Sequence, residues 1–167
     1  MISREKSIEL LNRAVNDELT AVHQYMYFHF RLDDMGYDLL STYFKRTAIE
    51  EMMHIEQLAE RILFLKGEVE MKPSHAVEKI HDVKAMLDKA EAMETQTITD
   101  YNQFAQECAA ALDSASKKLF EDLIVQEERH QDQFDTEVSN LETYGDNYLA
   151  LQSIEHAKKA SAGTQTT

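Results

Sequence analysis

Six side chains in this 167-residue chain have the types and spacing that chemistry needs: Glu18, Glu51, His54, Glu94, Glu127 and His130. Glu51 precedes His54 by three residues, and Glu127 precedes His130 by three. On a helix that spacing puts a carboxylate and an imidazole on one face, within reach of a common ion. Each pair has a partner glutamate 33 residues earlier, Glu18 and Glu94, and an offset of 76 residues carries one triad onto the other without an insertion. The same offset pairs Leu11 with Leu87, Tyr25 with Tyr101, Phe28 with Phe104, Phe44 with Phe120 and Gln57 with Gln133. That is an internal repeat, and it predicts one site built symmetrically by two related halves. A single Glu-x-x-His is more often a solvated pair. Two of them, each with an equally spaced partner at a position where the periodicity demands an apolar residue, point to metal.

Carboxylate and imidazole ligands without thiolate suit iron, manganese or zinc, and a carboxylate-rich pair of ions with open positions suits O2 chemistry on iron. Four carboxylates buried without compensation would cost roughly several kcal/mol each, more than a marginally stable domain absorbs. Two divalent cations neutralise them.

The elements that must position these groups are long helices. Only 4 Gly and 1 Pro punctuate the chain, too little turn chemistry for a many-stranded β fold, so the expected class is all-α. Stripes stepping by three and four run Ile8–Leu11–Val15–Glu18–Val22–Tyr25, Leu40–Phe44–Thr47–Glu51–His54–Leu58–Ile62–Leu65, Val83–Leu87–Ala90–Glu94–Thr97–Tyr101–Phe104–Cys108 and Phe120–Ile124–Glu127–His130–Phe134–Val138–Leu141. Four helices of roughly 25 to 30 residues follow. Gly36 predicts one tight turn, and Asp113-Ser114 a loop and N-cap, so helices one and two, and three and four, form antiparallel hairpins. Counted from Gly36 and Asp113, the two glutamates of each hairpin meet at mid-height. The segment 67–81, with Pro73, reaches about 46 Å extended, against about 42 Å for a 28-residue helix. It predicts one long crossover and an up-down-down-up bundle. A short C-terminal fifth helix is expected from Asn147 to about Lys159, which makes 1–159 the domain and 160–167 a disordered tail.

The balance of 17 Lys+Arg against 31 Asp+Glu gives a net charge of −14, which repels nucleic acid and anionic lipid and leaves cations as natural guests. No stretch approaches the roughly 20 apolar residues of a membrane span, and the opening MISREKSIEL is too charged for a leader, so no membrane partner and a cytoplasmic location are expected. The lone Cys108, in an apolar run, reads as a buried inert thiol.

Beyond the six residues, Asp17-Glu18-Leu19, His23-Gln24-Tyr25, Glu51-Met52-Met53-His54 and Glu60-Arg61-Ile62-Leu63-Phe64-Leu65 resemble the bacterioferritins of the ferritin-like superfamily, from about Glu5 to Ala157. The resemblance implies a ferritin-like four-helix bundle and a homo-oligomeric 24-mer built of dimers. Such a shell oxidises Fe2+ with O2 or H2O2 at an intrasubunit di-iron centre and stores ferric mineral inside. Glu18 and Glu94 would be terminal ligands, Glu51 and Glu127 bridges, and His54 and His130 one nitrogen ligand for each iron. A ferredoxin reductant is implied as well.

Met52, one residue past Glu51, is rotated by about 100° away from the metal face toward the outside of the bundle. In the resembling family the matching methionines of two subunits ligate haem, haem b or a related iron porphyrin, at the dimer interface. Leu19, His23, Met26, Lys45 and Ile49 would be its neighbours. Some members carry an inner-surface iron site built from His and Asp; the matching positions here are Arg46 and Glu50, and Arg46 departs from that pattern and argues against the site. Tyr25 and Tyr101 are expected to pack the core ahead of bonding a ligand. Surface or packing roles are expected for His29, His75, His81 and His156, and solvated faces for Glu121, Asp122 and Glu128. Two readings compete: a rubrerythrin-like di-iron peroxidase, against which the missing CxxC pairs argue, and a non-storage haem-binding electron-transfer oligomer. A twelve-subunit DNA-protecting ferritin, whose iron site lies between subunits, is disfavoured by the paired Glu-x-x-His set.

Overall fold

A computed structural model of the chain describes residues 4–163, which form α1 (Arg4–Asp34), α2 (Asp38–Phe64), α3 (Val83–Ala110), α4 (Ser114–Tyr144) and α5 (Asp146–Gly163). No strand occurs among the described residues. The apolar stripes are the buried faces: Leu11, Val15, Tyr25, Phe44, Leu58, Leu87, Phe104, Phe120 and Phe134 are all sealed from solvent. The fifth helix runs Asp146–Gly163, against the expected Asn147 to about Lys159. The remainder of the expected tail, residues 164–167, and the first three residues of the expected domain lie outside the described residues.

Both hairpin turns are built alike. At the end of α1, Gly36 takes a φ of 77° and the Tyr37 N–H donates to the Leu32 carbonyl at 2.9 Å. At the end of α3, Leu112 takes a φ of 61° and the Asp113 N–H donates to the Cys108 carbonyl, again at 2.9 Å. Each is a left-handed residue closing a helix by a six-to-one hydrogen bond, the geometry that leaves the last carbonyls satisfied. The pivot of the second hairpin is therefore Leu112, one residue before the expected Asp113. Glu94 and Glu127 then stand as far from it as Glu18 and Glu51 stand from Gly36. Asp113 does cap α4, accepting from the Ser116 N–H at 3.1 Å, and it also accepts from the Arg61 guanidinium at 2.6 Å.

The crossover leaves α2 at Gly67, whose Cα approaches α1 so closely that an added Cβ would lie 2.7 Å from Ile8 Cγ2. From there it runs along α1 on a polar track. The Asn12 amide donates to the Glu68 carbonyl and accepts from the Glu70 N–H, at 2.9 and 2.8 Å. The Asn16 carbonyl accepts from the Ser74 N–H, Thr20 Oγ1 from the His75 N–H, and the Gln24 amide pairs with both backbone groups of Glu78. Positions 12, 16, 20 and 24 are one i, i+4 stripe, so a strandless extended segment has its backbone groups satisfied by a helix face. The crossover proceeds in the direction of α1, which returns the chain to the end where α2 began and sets α3 parallel to α2. Lys6 pairing with Glu107 at 2.9 Å, and Arg13 stacked 4.7 Å over Phe104, join the start of α1 to the end of α3. α5 closes one end of the bundle. Its buried Gln152 accepts from the Leu40 N–H at 3.2 Å, satisfying an orphan donor of α2's first turn, and Tyr148 donates to Glu137.

Two core clusters sandwich the middle of the bundle. One gathers Tyr101, Phe104 and Phe120 around Leu11, Val15 and Leu58; the other gathers Tyr25, Phe28, Phe44 and Phe134 around Leu32 and Leu87. Phe28 meets Phe44 edge-on at 5.3 Å, and Phe104 meets Phe120 edge-on at 5.5 Å, so the repeat holds down to ring geometry.

Candidate metal centre

Between these clusters the periodicity delivers charged groups where the stripes would otherwise place apolar ones. Glu18, Glu51, His54, Glu94, Glu127 and His130 are each at most 2% exposed. Their ligand atoms converge in two groups: Glu18, Glu51, His54 and Glu127, and Glu51, Glu94, Glu127 and His130, with the atoms of each within 4.8 Å of one another. Glu51 and Glu127 belong to both. Glu51 directs Oε2 at His54 Nδ1 (2.9 Å) and Oε1 at His130 Nδ1 (3.1 Å); Glu127 directs Oε1 at His54 Nδ1 (2.9 Å) and Oε2 at His130 Nδ1 (3.3 Å). Glu18 lies 3.4 Å from His54, and Glu94 lies 4.0 Å from His130. The two rings lie nearly parallel, centroids 5.9 Å apart.

A pair of metal ions fits this arrangement. Ligand atoms at right angles around an ion, on bonds of about 2.1 Å, stand about 3.0 Å apart, which is the spacing between each imidazole Nδ1 and the two shared carboxylates. Both oxygens of Glu51, Oε1 of Glu127 and Nδ1 of His54 are buried and make no hydrogen bond. Buried polar atoms are otherwise almost always satisfied, so four orphans facing one another mark the place of a missing partner.

The outward nitrogens are held. His54 Nε2 donates to Gln126 Oε1 at 3.3 Å, and His130 Nε2 donates to Glu50 Oε2 at 2.7 Å, which leaves Nδ1 as the inward-facing atom of both rings, the one available to a metal. Tyr101 donates to Glu18 and Tyr25 donates to Glu94. Packing was expected ahead of such a bond, and the tyrosines do both: their rings fill the core while their hydroxyls bond Glu94 and Glu18 across the bundle. The 76-residue symmetry of Tyr25 and Tyr101 was the signal in the sequence for a shared role.

Without cations the centre carries protons. Burial, then repulsion from Glu127 and Glu51, raises Glu18 well above the usual carboxylate range, and burial with the same two neighbours raises Glu94. Burial works against the charge on each imidazole, but the close carboxylates, Glu127 first, outweigh it and push His130 up to about 11 and His54 also upward. For Glu127, burial is overcome by His130 and His54, which hold it below its ordinary value.

The other sequence candidates lie outside this group. Met52 is 50% exposed on the outer face of α2 beside the exposed Ile49 and Met53, with Leu19 and Met26 half-buried and His23 and Lys45 exposed. Arg46 and Glu50 do not assemble a cation site: Glu50 accepts from Arg129 at 2.6 Å and has Arg46 at 3.9 Å. His29 bonds Ser41, His75 and His81 are exposed, and the side chain of His156 lies outside the described residues. Glu121 and Asp122 pair with Lys117 and Lys118 one turn earlier, and Glu128 is exposed. Cys108 is buried, and burial raises its thiol to about 11, consistent with an inert sulfur. No described helix is long and apolar enough to cross a membrane.

Residues 8–144 match the family model for the ferritin-like domain. The chain is 38% identical to a bacterioferritin of Desulfovibrio desulfuricans over 147 residues, 88% of this chain and 82% of that protein. It is 35% identical to a bacterioferritin of Rhodobacter capsulatus over 147 residues, 87% of this chain and 91% of that one. The X-ray structure of the Desulfovibrio desulfuricans bacterioferritin, described with its diiron site in different catalytic states, superposes with a TM-score of 0.88 at 37% identity, covering 90% of this chain and 88% of that one. With two interlocking buried carboxylate–imidazole groups that could hold metal on the matching bundle, the chain belongs to the bacterioferritins of the ferritin-like family.

Proposed function

We propose that the chain is an iron-storage and detoxification protein whose ferroxidase centre, made of Glu18, Glu51, His54, Glu94, Glu127 and His130, turns over Fe2+ as substrate. The single observation that carries this reading is the pair of interlocking ligand groups sharing Glu51 and Glu127, with their orphaned inward atoms. Two iron ions held there supply two electrons to O2 or H2O2. The chain's own residues set the conditions. The shared carboxylates hold both cations at one height, and their negative charge favours the higher oxidation state. The imidazoles bind through Nδ1 only, because their Nε2 atoms are committed to Gln126 and Glu50. Tyr101 and Tyr25 keep Glu18 and Glu94 aimed inward, and the two aromatic clusters exclude bulk water above and below.

The product Fe3+ passes to a mineral inside a 24-subunit homo-oligomeric shell, with a ferredoxin-type reductant as the release partner and the cytoplasm as the location. The exposed apolar faces of α2 (Ile49, Met52, Met53) and α5 (Leu151, Ile154) support assembly, since a lone bundle gains nothing by presenting them to water. Met52 is the proposed axial ligand of a haem shared by two copies. Its half-exposed thioether among apolar neighbours suits a flat apolar ring.

Anaerobic Fe2+ titration of the metal-free protein, followed by O2 or H2O2, tests the centre. The expected result is two Fe2+ per chain oxidised in a fast phase, on a particle of 24 chains of 19.3 kDa each. Fe2+ binding without a stoichiometric endpoint, or a dimer that never accumulates iron, overturns the reading. The haem is tested separately by a Soret band that Met52→Leu removes.

A further inference from the structure

The six inner ligands obey the 76-residue repeat, but the residues behind the imidazoles do not. Glu50 and Gln126 are repeat partners. Each serves the histidine of the opposite hairpin: Glu50, on α2, accepts from His130 Nε2 at 2.7 Å, and Gln126, on α4, accepts from His54 Nε2 at 3.3 Å. One imidazole therefore leans on a carboxylate and the other on a neutral amide.

The difference is reinforced one step further out. Arg129 donates to the same Glu50 oxygen at 2.6 Å and locks the carboxylate in place. Its repeat partner is Met53, which offers Gln126 no such anchor, and the Gln126 amide nitrogen instead reaches back 3.4 Å to the Asp122 carbonyl of its own helix. A charged acceptor makes a shorter and roughly twofold stronger hydrogen bond than a neutral one, and it draws the Nε2 proton outward so that Nδ1 becomes the better donor to a metal.

Building on the metal-centre reading above, we propose that Glu50 is a positioning residue that makes the two metal positions unequal. The position formed by Glu94, Glu51, Glu127 and His130 binds a divalent cation more tightly, and fills first, than the one formed by Glu18, Glu51, Glu127 and His54. Glu51 and Glu127 are common to both positions, and each terminal glutamate has its own tyrosine, so these contacts do not discriminate. The shorter Glu18–His54 distance, 3.4 against 4.0 Å, is an inner difference that substitutions at 50 and 126 leave untouched.

The test is crystals of the full-length assembled protein soaked with substoichiometric Zn2+, with anomalous scattering at the zinc edge giving the occupancy of each position. In the unmodified chain the His130 position is expected to be occupied at least severalfold above the His54 position, within the roughly 10- to 100-fold that outer-shell partners contribute to metal affinity. Glu50→Gln is expected to equalise the two, as is Gln126→Glu alone. The double exchange, Glu50→Gln with Gln126→Glu, is expected to reverse the order. A role for Glu50 in stability alone lowers Tm without reversing anything. Equal filling in the unmodified chain, or an order that survives the exchange, overturns the proposal and leaves the metal centre standing. Zinc at neither position overturns both.

Discussion

In the N-terminal hairpin the left-handed turn position is a glycine, Gly36, and the next residue, Tyr37, caps α2 with no side-chain hydrogen bond. In the C-terminal hairpin the same two positions, 76 residues on, are Leu112 and Asp113. There the turn carries a strained branched residue, while the cap is held by Ser116 and by Arg61 reaching across from α2. Each half has one of the two residues a helix–turn–helix junction prefers. The core differs in the same manner: Phe134 packs against Tyr25, Tyr43 and Phe44, whereas its repeat partner is Leu58. The ligands and the two tyrosines match residue for residue. Symmetry persists in the six buried acid and imidazole residues and in the edge-on pairs Phe28–Phe44 and Phe104–Phe120, and it has relaxed at the two turns and at positions 58 and 134.

The largest effects should come from breaking the symmetric part. Glu51 and Glu127 each serve both positions, so Glu51→Gln and Glu127→Gln should each slow Fe2+ oxidation by more than the roughly 100-fold upper range of outer-shell losses, and by similar factors. Glu18→Gln and Glu94→Gln each impair one position, leaving close to one tightly bound ion per chain by calorimetry with Zn2+. Unchanged stoichiometry in the Glu51→Gln protein would contradict the sharing.

A second effect follows from protonation of the metal-free centre and should be common to both halves. His130, with a folded pKa of about 11, gains stability that is fully present below its ordinary value of 6.5 and is lost as pH rises toward 11. Glu18 and Glu94, also raised, add a penalty that grows as pH climbs above the usual carboxylate range. Both signs agree. The Tm of the metal-free protein should fall between pH 6 and 9, whereas that of the zinc-loaded protein should not. Loading should release protons, because the ligating forms are deprotonated. A pH-stat titration that records no proton release on Zn2+ binding would show the cluster to be deprotonated already.

Asp113→Ala probes the part that belongs to one half. The carboxylate is buried, which alone would raise its pKa, yet hydrogen bonds from Ser116 and the Arg61 charge hold it below the usual range. Losing a cap and a charge-assisted bond together should cost about 2–3 kcal/mol in urea unfolding. A depressed carboxylate contributes above its unfolded pKa and loses the contribution as pH falls through its folded value. The penalty should therefore hold through neutral pH and shrink only in strong acid. An effect below 0.5 kcal/mol, taken as the ~0.5 kcal/mol ceiling for ordinary surface changes, would mean that the turn holds itself without the cap.

The centre was legible in the sequence because a buried ion pair needs charged residues at periodic apolar positions, and such exceptions stand out in Glu51, His54, Glu127 and His130. The topology was legible from the length of the segment around Pro73. What the segment lies on was less plain. Asn12, Asn16, Thr20 and Gln24 form a polar i, i+4 stripe, but a polar stripe on a helix ordinarily faces water, and only the fold supplies backbone groups to satisfy. Glu50 and Gln126 were hidden for a related reason. Each bonds the histidine of the other hairpin, so neither lies near its partner in sequence.

The smallest effect concerns the two turns and can separate inherited geometry from local optimisation. Leu112 is 70% exposed, so its side chain contributes little burial, while a φ of 61° costs a branched residue about 1 kcal/mol relative to glycine. Leu112→Gly should raise stability, though by less than 1 kcal/mol, taken as the ~1 kcal/mol strain offset by the backbone entropy that glycine adds to the unfolded chain. Gly36→Ala, at the matching position with a φ of 77°, should lower it by about 1 kcal/mol, since it imposes on the first turn the strain the second already bears. Opposite signs from repeat partners would establish that the left-handed geometry is fixed by the helix spacing and not chosen by the residue. Destabilisation by both would show instead that Leu112 is held by contacts with another copy of the chain, in which case the loss should grow as the assembled protein is compared with its dissociated form.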